Sequence, residues 1–145
     1  MTLYLDASAL VELVFPERDL DTLIAAVAQA DRVVTAAITL TEVSCALERA
    51  RRGGLIRSGR HTRAQREVES AWPGIGRITV DDPLAREGAV LGRKHGLKGY
   101  DAVHLAAAVR ARQAGPVTLA SWDRELLRAA RVEGLATVGG QNDGA

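Results

Sequence analysis

Short apolar runs and amphipathic stretches alternate along this chain, five of the former and seven of the latter. Residues 2–6 (TLYLD) open it as a buried strand. The spacing predicts a short helix over 7–14, stopped before Pro16, and a second over 18–29 with Leu20, Leu23, Ile24 and Val27 on one face. Residues 32–35 (RVVT) read as the second strand. A helix over 39–52 lines up Leu40, Val43, Leu47 and Ala50, and Gly53-Gly54 ends it. Another opens after Ser58, turns Ala64, Val68, Ala71 and Trp72 inward, and stops at Pro73-Gly74.

Residues 76–80 (GRITV) are the third strand. Asp82 then reads as a helix cap with Pro83 at the first helical position, and Gly96 closes that helix. An alanine-rich helix covers 100–113, a strand covers 117–120 (VTLA), a last helix covers 122–133, and 136–138 (ATV) is the fifth strand. Short apolar strands alternating with helices specify the α/β class: a mostly parallel sheet of about five strands with helices on both faces. With no repeat, linker or composition break, 1–139 is expected to be one domain and 140–145 a flexible tail.

Composition narrows the class further. At 145 residues, 47% hydrophobic and 26% charged, the chain is long enough for one core and too apolar for wholesale disorder. One cysteine excludes an internal disulfide, and one cysteine with three histidines cannot supply the ligand set of a zinc finger or ribbon, which needs at least two cysteines. No apolar run approaches the roughly 20 residues that span a membrane. The N-terminus places Asp6 where a signal peptide would have a basic or apolar region, so a soluble cytoplasmic protein is expected. The net charge of +1 is uninformative, but residues 49–66 hold seven arginines and no acid. Such a block either binds a polyanion, with Arg49, Arg51 and Arg52 the candidate contacts to RNA, or is simply a solvated helical face.

The informative residues are four acids in apolar settings. Asp6 ends the strand TLYL, and Asp123 lies just beyond VTLA. Ligands of open parallel sheets bind at the carboxyl ends of strands, so both acids would face that crevice. Asp101 sits in the first turn of its helix in line with Leu105 and Ala108. Glu42 reads as mid-helix, flanked by Ile38, Cys45 and Ala46. Each has a plain structural alternative: helix capping for Asp6, Asp101 and Asp123, and exposure or an ion pair with Arg49 for Glu42. If the four converge, like charges about 5 Å apart repel by roughly 3 kcal/mol at an effective dielectric near 20, which demands protonation or a cation. Oxygen-only donors favour a hard ion, Mg²⁺ or Mn²⁺, and carboxylates gripping such an ion suit phosphodiester chemistry.

These residues stand in a recognisable order: YLDASALVELVFPE, ITLTEVSCALERARR, HGLKGYDAVHLAAAV and LASWDRELLRAARVEGL. From Leu3 to about Val138 the chain resembles the PIN domain and, within it, the VapC-type ribonuclease toxins of bacterial toxin–antitoxin pairs. The resemblance implies a three-layer α/β/α nuclease domain and a Mg²⁺-dependent endoribonuclease that hydrolyses RNA through a metal-activated water. Asp6 and Asp101 would hold metal most directly, Glu42 and Asp123 would complete the acidic pocket, and Ser8 and Ser121 would support it. It further implies a homodimer restrained by a small antitoxin whose C-terminal segment lies over the acidic site.

Other residues read as structural. His104, three after Asp101, is expected to be a histidine hydrogen-bonded near the site, and Cys45 a small packing residue. Trp122 reads as an anchor for the last helix, Trp72 as core, and Lys94, His95 and Lys98 as cations at a helix C-terminus. The competing function is a non-catalytic PIN-like module that binds RNA or protein. A phosphoryl-accepting aspartate is disfavoured, because Ser8 stands where haloacid-dehalogenase-like enzymes carry a second acid. Removing the charge at Asp6 or Asp101 is expected to leave the fold intact or more stable.

Overall fold

The computed structural model describes residues 1–17 and 20–140. The expected helix start at 18 and residues 141–145 of the expected tail lie outside the described residues. Five strands, β1 (Thr2–Leu5), β2 (Arg32–Ala36), β3 (Gly76–Ile78), β4 (Val117–Ala120) and β5 (Ala136–Val138), form one parallel sheet in the order β3-β2-β1-β4-β5. Tyr4 of the central strand lies opposite Val34 on one side and Leu119 on the other. Every residue of β1 is buried, which is why TLYL is continuously apolar rather than alternating.

The pleat sends Leu3 and Leu5 to one face of the sheet and Tyr4 to the other. Against Leu3 and Leu5 pack α1 (Ala7–Val14), α2 (Asp21–Gln29), α3 (Thr39–Arg52) and α4 (Ser58–Ala71), through residues such as Leu10, Leu23, Val43 and Val68. Against Tyr4 pack α5 (Asp82–His95), α6 (Gly99–Ala111) and α7 (Arg124–Val132), through Leu84, Leu105 and Leu126. The result is the expected three-layer α/β/α arrangement.

One close packing contact positions the functional edge. Between α5 and α6, a Cβ added at Gly92 would lie 3.0 Å from Cβ of Ala102, so glycine lets the two helices approach. That approach buries Ala102, Leu105, Ala106, Ala107 and Ala108 and fixes the first turn of α6, where Asp101 stands.

Several local expectations are corrected. In α2 the buried residues are Leu23 and Ala26, while Ile24 is 55% exposed; this helix packs near the edge strand β5, which covers only a narrow stripe. Ala71 is exposed and Trp72 only partly buried, because α4 ends there in a 3-10 turn (Trp72–Gly74) and the Arg77 guanidinium lies 5.4 Å from the Trp72 ring centre. The cap of α5 is Asp81 rather than Asp82. Its extended backbone lets Oδ1 accept from the Leu84 N–H at 2.9 Å, with Pro83 second in the helix. Lys94 and His95 do more than complement a helix end: both reach Glu133 Oε1 at 2.6 Å, which ties α5 to the end of α7.

Candidate active site

In a parallel sheet flanked by helices, strand carboxyl ends and helix amino ends meet at one edge. Here four helix N-termini bring one acid each to that edge. Asp6 caps α1, its Oδ1 accepting from the Ala9 N–H at 2.9 Å. Asp123 caps α7, its Oδ1 accepting from the Leu126 N–H at 2.8 Å. Asp101 occupies the first turn of α6 and Glu42 the first turn of α3. Glu42 is therefore not mid-helix as its flanking sequence implied. Capping and convergence, which the sequence posed as alternatives, hold together for Asp6 and Asp123.

All four acids line one open cavity of about 640 Å³, together with Ser8, Glu12, Arg49, Tyr100, His104 and Trp122. Asp6 is the most constrained. Its Oδ1 also accepts from the Ser8 hydroxyl at 2.7 Å, and its Oδ2 accepts from the Ser121 hydroxyl at 2.6 Å. The two hydroxyls in turn accept backbone N–H groups, Ser8 from Trp122 at 2.9 Å and Ser121 from Asp123 at 2.9 Å. Burial raises the Asp6 carboxyl above its ordinary value, with the neighbouring imidazole, the two hydroxyls and the Ala9 N–H partly offsetting this. Behind this network Gly139 has φ +99, and a Cβ there would lie 2.1 Å from the Ser121 carbonyl oxygen, so only glycine lets β5 end so close to the site.

Asp101 differs from Asp6 in having no hydrogen bond or ion pair to any described residue, although it is only 6% exposed. Its carboxyl is pushed up to about 6, first by burial and then by the charges of Asp123 and Asp6. Glu42 Oε1 lies in hydrogen-bond contact with His104 Nε2 at 2.6 Å rather than pairing with Arg49. His104 is 1% exposed and hydrogen-bonded beside the site, as expected.

Cys45, expected to pack, is exposed and lines the cavity mouth, because it sits on the outer side of α3 from Val43 and Leu47. Arg49 also lines the cavity, whereas Arg51 and Arg52 are held by Glu48 at 2.6 and 2.9 Å. Those two guanidinium groups bring the Glu48 carboxyl down to about 2. Glu12 was missed in the sequence. It stands one helical turn after Ser8, is 7% exposed, and its Oε2 accepts from the Glu17 N–H at 3.2 Å.

Most donors lining the cavity are oxygens, the carboxylates together with the Ser8 and Tyr100 hydroxyls, beside the Cys45 thiol and one committed imidazole; the carboxylates suit a hard divalent cation. Among the described residues no three His, Cys, Asp or Glu side chains are already drawn into an ion-holding cluster. An ion of the Mg²⁺ kind keeps several waters and takes only one or two carboxylates directly, so it does not require such a cluster. Asp101, without a protein partner, open to the cavity and crowded by like charge, is the group such a cation would relieve.

A five-stranded parallel sheet with acids gathered over its carboxyl edge is the layout of a PIN domain, and the PIN domain family matches residues 3–132. The chain belongs to this family and, within it, to the VapC group: it is 31% identical over 140 residues to Ribonuclease VapC45 of Mycobacterium tuberculosis (strain CDC 1551 / Oshkosh), covering 97% of this chain and 96% of that one. Solved structures of similar fold include FitAcB from Neisseria gonorrhoeae, with a TM-score of 0.67 at 20% identity over 94% of this chain and 96% of that one. A toxin–antitoxin complex from Klebsiella pneumoniae gives a TM-score of 0.63 at 18% identity over 88% and 90% of the two chains. At these identities the likeness is one of fold.

Proposed function

We propose that the protein is a metal-dependent endoribonuclease, using Mg²⁺ with Mn²⁺ able to substitute, and that it is the toxin of a toxin–antitoxin pair. The observation that carries this reading is Asp101: a residue only 6% exposed whose carboxyl opens to the cavity without a protein partner, raised to about 6 and facing Asp6, Asp123 and Glu42. A structural acid would have a hydrogen-bond donor; this one faces a space where a cation and a phosphate could enter. The relationship to a protein named as a ribonuclease makes RNA the substrate class.

Asp6 and Asp101 are the proposed direct metal ligands, with Glu42 and Asp123 completing the set. A bound divalent ion would supply neutralisation of charge on the non-bridging phosphate oxygens and a more acidic water. Ser8 and Ser121 hold the Asp6 carboxylate so that both of its oxygens have fixed directions. Asp123 is held by its own cap bond to α7. A single strand of RNA is the substrate form proposed for the open cavity, where a bound cation would offset the repulsion between its phosphates and the acids. The antitoxin partner is inferred from the similar fold in the Klebsiella pneumoniae complex, and homodimerisation and a cytoplasmic site of action belong to the same reading. No described helix is long and apolar enough to cross a membrane.

Of the three arginines considered for RNA, Arg49 suits the role best. It lines the cavity and forms no ion pair among the described residues, while Arg51 and Arg52 are engaged with Glu48. Arg49→Glu is expected to weaken RNA binding and lower the slope of log affinity against log salt by about one, the signature of a lost phosphate contact. Arg51→Glu should do less. Fluorescence anisotropy across a salt series decides this, and equal losses in both variants would return the arginine block to a general electrostatic role.

The reading as a whole is tested by incubating purified protein with total RNA, with Mg²⁺ and with EDTA, beside Asp6→Asn purified identically. Discrete products that need metal and vanish in the variant are the expected result. Cleavage that survives Asp6→Asn would be a contaminant. Absence of cleavage, combined with RNA binding, would favour the non-catalytic binding module.

A further inference from the structure

Glu42 reaches the cavity from α3, the layer on the far side of the sheet from α6, and yet its hydrogen-bond partner is a side chain of α6. The partner, His104, is itself bound at its other nitrogen: its Nδ1 lies 2.7 Å from the Tyr4 hydroxyl, and the two rings meet edge to face at 5.9 Å. Tyr4 and His104 are 0% and 1% exposed, so no solvent completes either bond.

Hydrogen-bond directions along this chain can be worked out from the chemistry of its ends. An ordinary phenol titrates only at about pH 10, so the Tyr4 oxygen carries its proton. Among the described residues this hydroxyl has one hydrogen-bond partner, His104, and it is shut off from solvent. Its own O–H must therefore be given away, and His104 Nδ1 is the acceptor 2.7 Å from it. An imidazole that accepts at Nδ1 is neutral and carries its proton at Nε2. That Nε2–H faces Glu42 Oε1, an acceptor when ionised. Every group in the sequence Tyr4, His104, Glu42 thus has one consistent role, and among the described residues no buried side-chain polar atom is left without a partner.

We propose that Tyr4 and His104 form a buried relay that fixes the imidazole as its Nε2–H tautomer and so holds the Glu42 carboxylate in one orientation, with Oε2 left to the cavity. His104 is a positioning residue, acting on the site through Glu42. Its sequence position serves this role, since three residues after Asp101 places both on the same side of α6. The activity readout of this inference rests on the ribonuclease reading, whereas its tautomer readout does not.

Two near-isosteric substitutions separate the halves of the relay. His104→Gln can place an amide N–H where Nε2 stood and keep the bond to Glu42. His104→Asn can place a carbonyl oxygen where Nδ1 stood, accept from Tyr4, and leave Glu42 unheld. Loss of an orienting partner behind a metal-site ligand costs about 10–100-fold in activity. His104→Asn is expected to lose that much while His104→Gln loses less than about threefold, with matching circular dichroism for both. A merely structural histidine would give equal losses, and that result would overturn the proposal.

Tyr4→Phe removes one oxygen and keeps the packing, so it serves even where His104→Asn fails to fold. Two-bond proton–nitrogen spectra of the metal-free protein should show the Nε2–H tautomer alone in the wild type and a second tautomer in Tyr4→Phe. An Nδ1–H or doubly protonated ring in the wild type would overturn the relay. Should the wild type cleave no RNA at all, the ribonuclease reading fails by itself, and the spectra still decide the relay.

Discussion

Asp101→Asn is expected to abolish RNA cleavage and at the same time to make the metal-free protein more stable above about pH 6. The catalytic loss follows from removing a charge that would balance the ion: several kcal/mol of transition-state stabilisation correspond to on the order of 10³-fold in rate. The gain in stability follows from linkage. The folded carboxyl titrates at about 6, and the same group in an unfolded chain titrates near 3.8. Between these values the folded state holds a proton that the unfolded state has released, so stability falls as pH rises through the window and stays reduced above it. Because the cavity is open to water, the effect is discounted to roughly 1–2 kcal/mol, or about 3–6 °C in Tm. Melting in EDTA at pH 8 should show the variant above the wild type, and at pH 4 the gap should nearly close. A variant no more stable than the wild type at pH 8 would mean that Asp101 is not under electrostatic pressure.

Much of the architecture was legible because punctuation and pattern agree. Pro16 after one helix, Gly53-Gly54 after another and Gly115-Pro116 before a strand bound their elements tightly, and the observed limits Ala7–Val14, Thr39–Arg52 and Val117–Ala120 follow. The gathering of Asp6 and Asp123 was legible for a topological reason: in a parallel sheet, an acid just after a strand lies on the same edge as every other such acid. What escaped was set by contacts distant in sequence. Nothing near Glu42 points to His104, 62 residues away, whereas Arg49 two turns along the same helix looked the natural partner. Cys45 has the composition of a packing residue, and its exposure depends on how α3 is rolled against α1 and α4. Glu12 carries no local mark either, since its burial depends on the cavity wall assembled around α1. The cap shift from Asp82 to Asp81 is a subtler case, in which adjacent acids compete and backbone conformation decides.

At Asp6 the charge and the hydrogen bonds point to different energetics, and a pair of variants makes the difference measurable. The charge alone, desolvated and raised in pKa, implied that any neutral replacement would be tolerated. The hydrogen bonds imply otherwise. Asp6 accepts from the Ala9 N–H and from the Ser8 and Ser121 hydroxyls, joining the start of α1 to the turn between β4 and α7. In Asp6→Ala all three donors lose their acceptor and α1 loses its cap, a cost of about 1–3 kcal/mol after the relief of the buried charge is counted. In Asp6→Asn the amide oxygen can keep the cap and the Ser8 bond, and the amide N–H groups can donate to the Ser121 oxygen. Both variants should be inactive toward RNA. Asp6→Ala should melt roughly 3–9 °C below Asp6→Asn, which should melt at or slightly above the wild type. Equal melting temperatures would show that the serines find other acceptors, and that the network around Asp6 serves the direction of its oxygens rather than the stability of the fold.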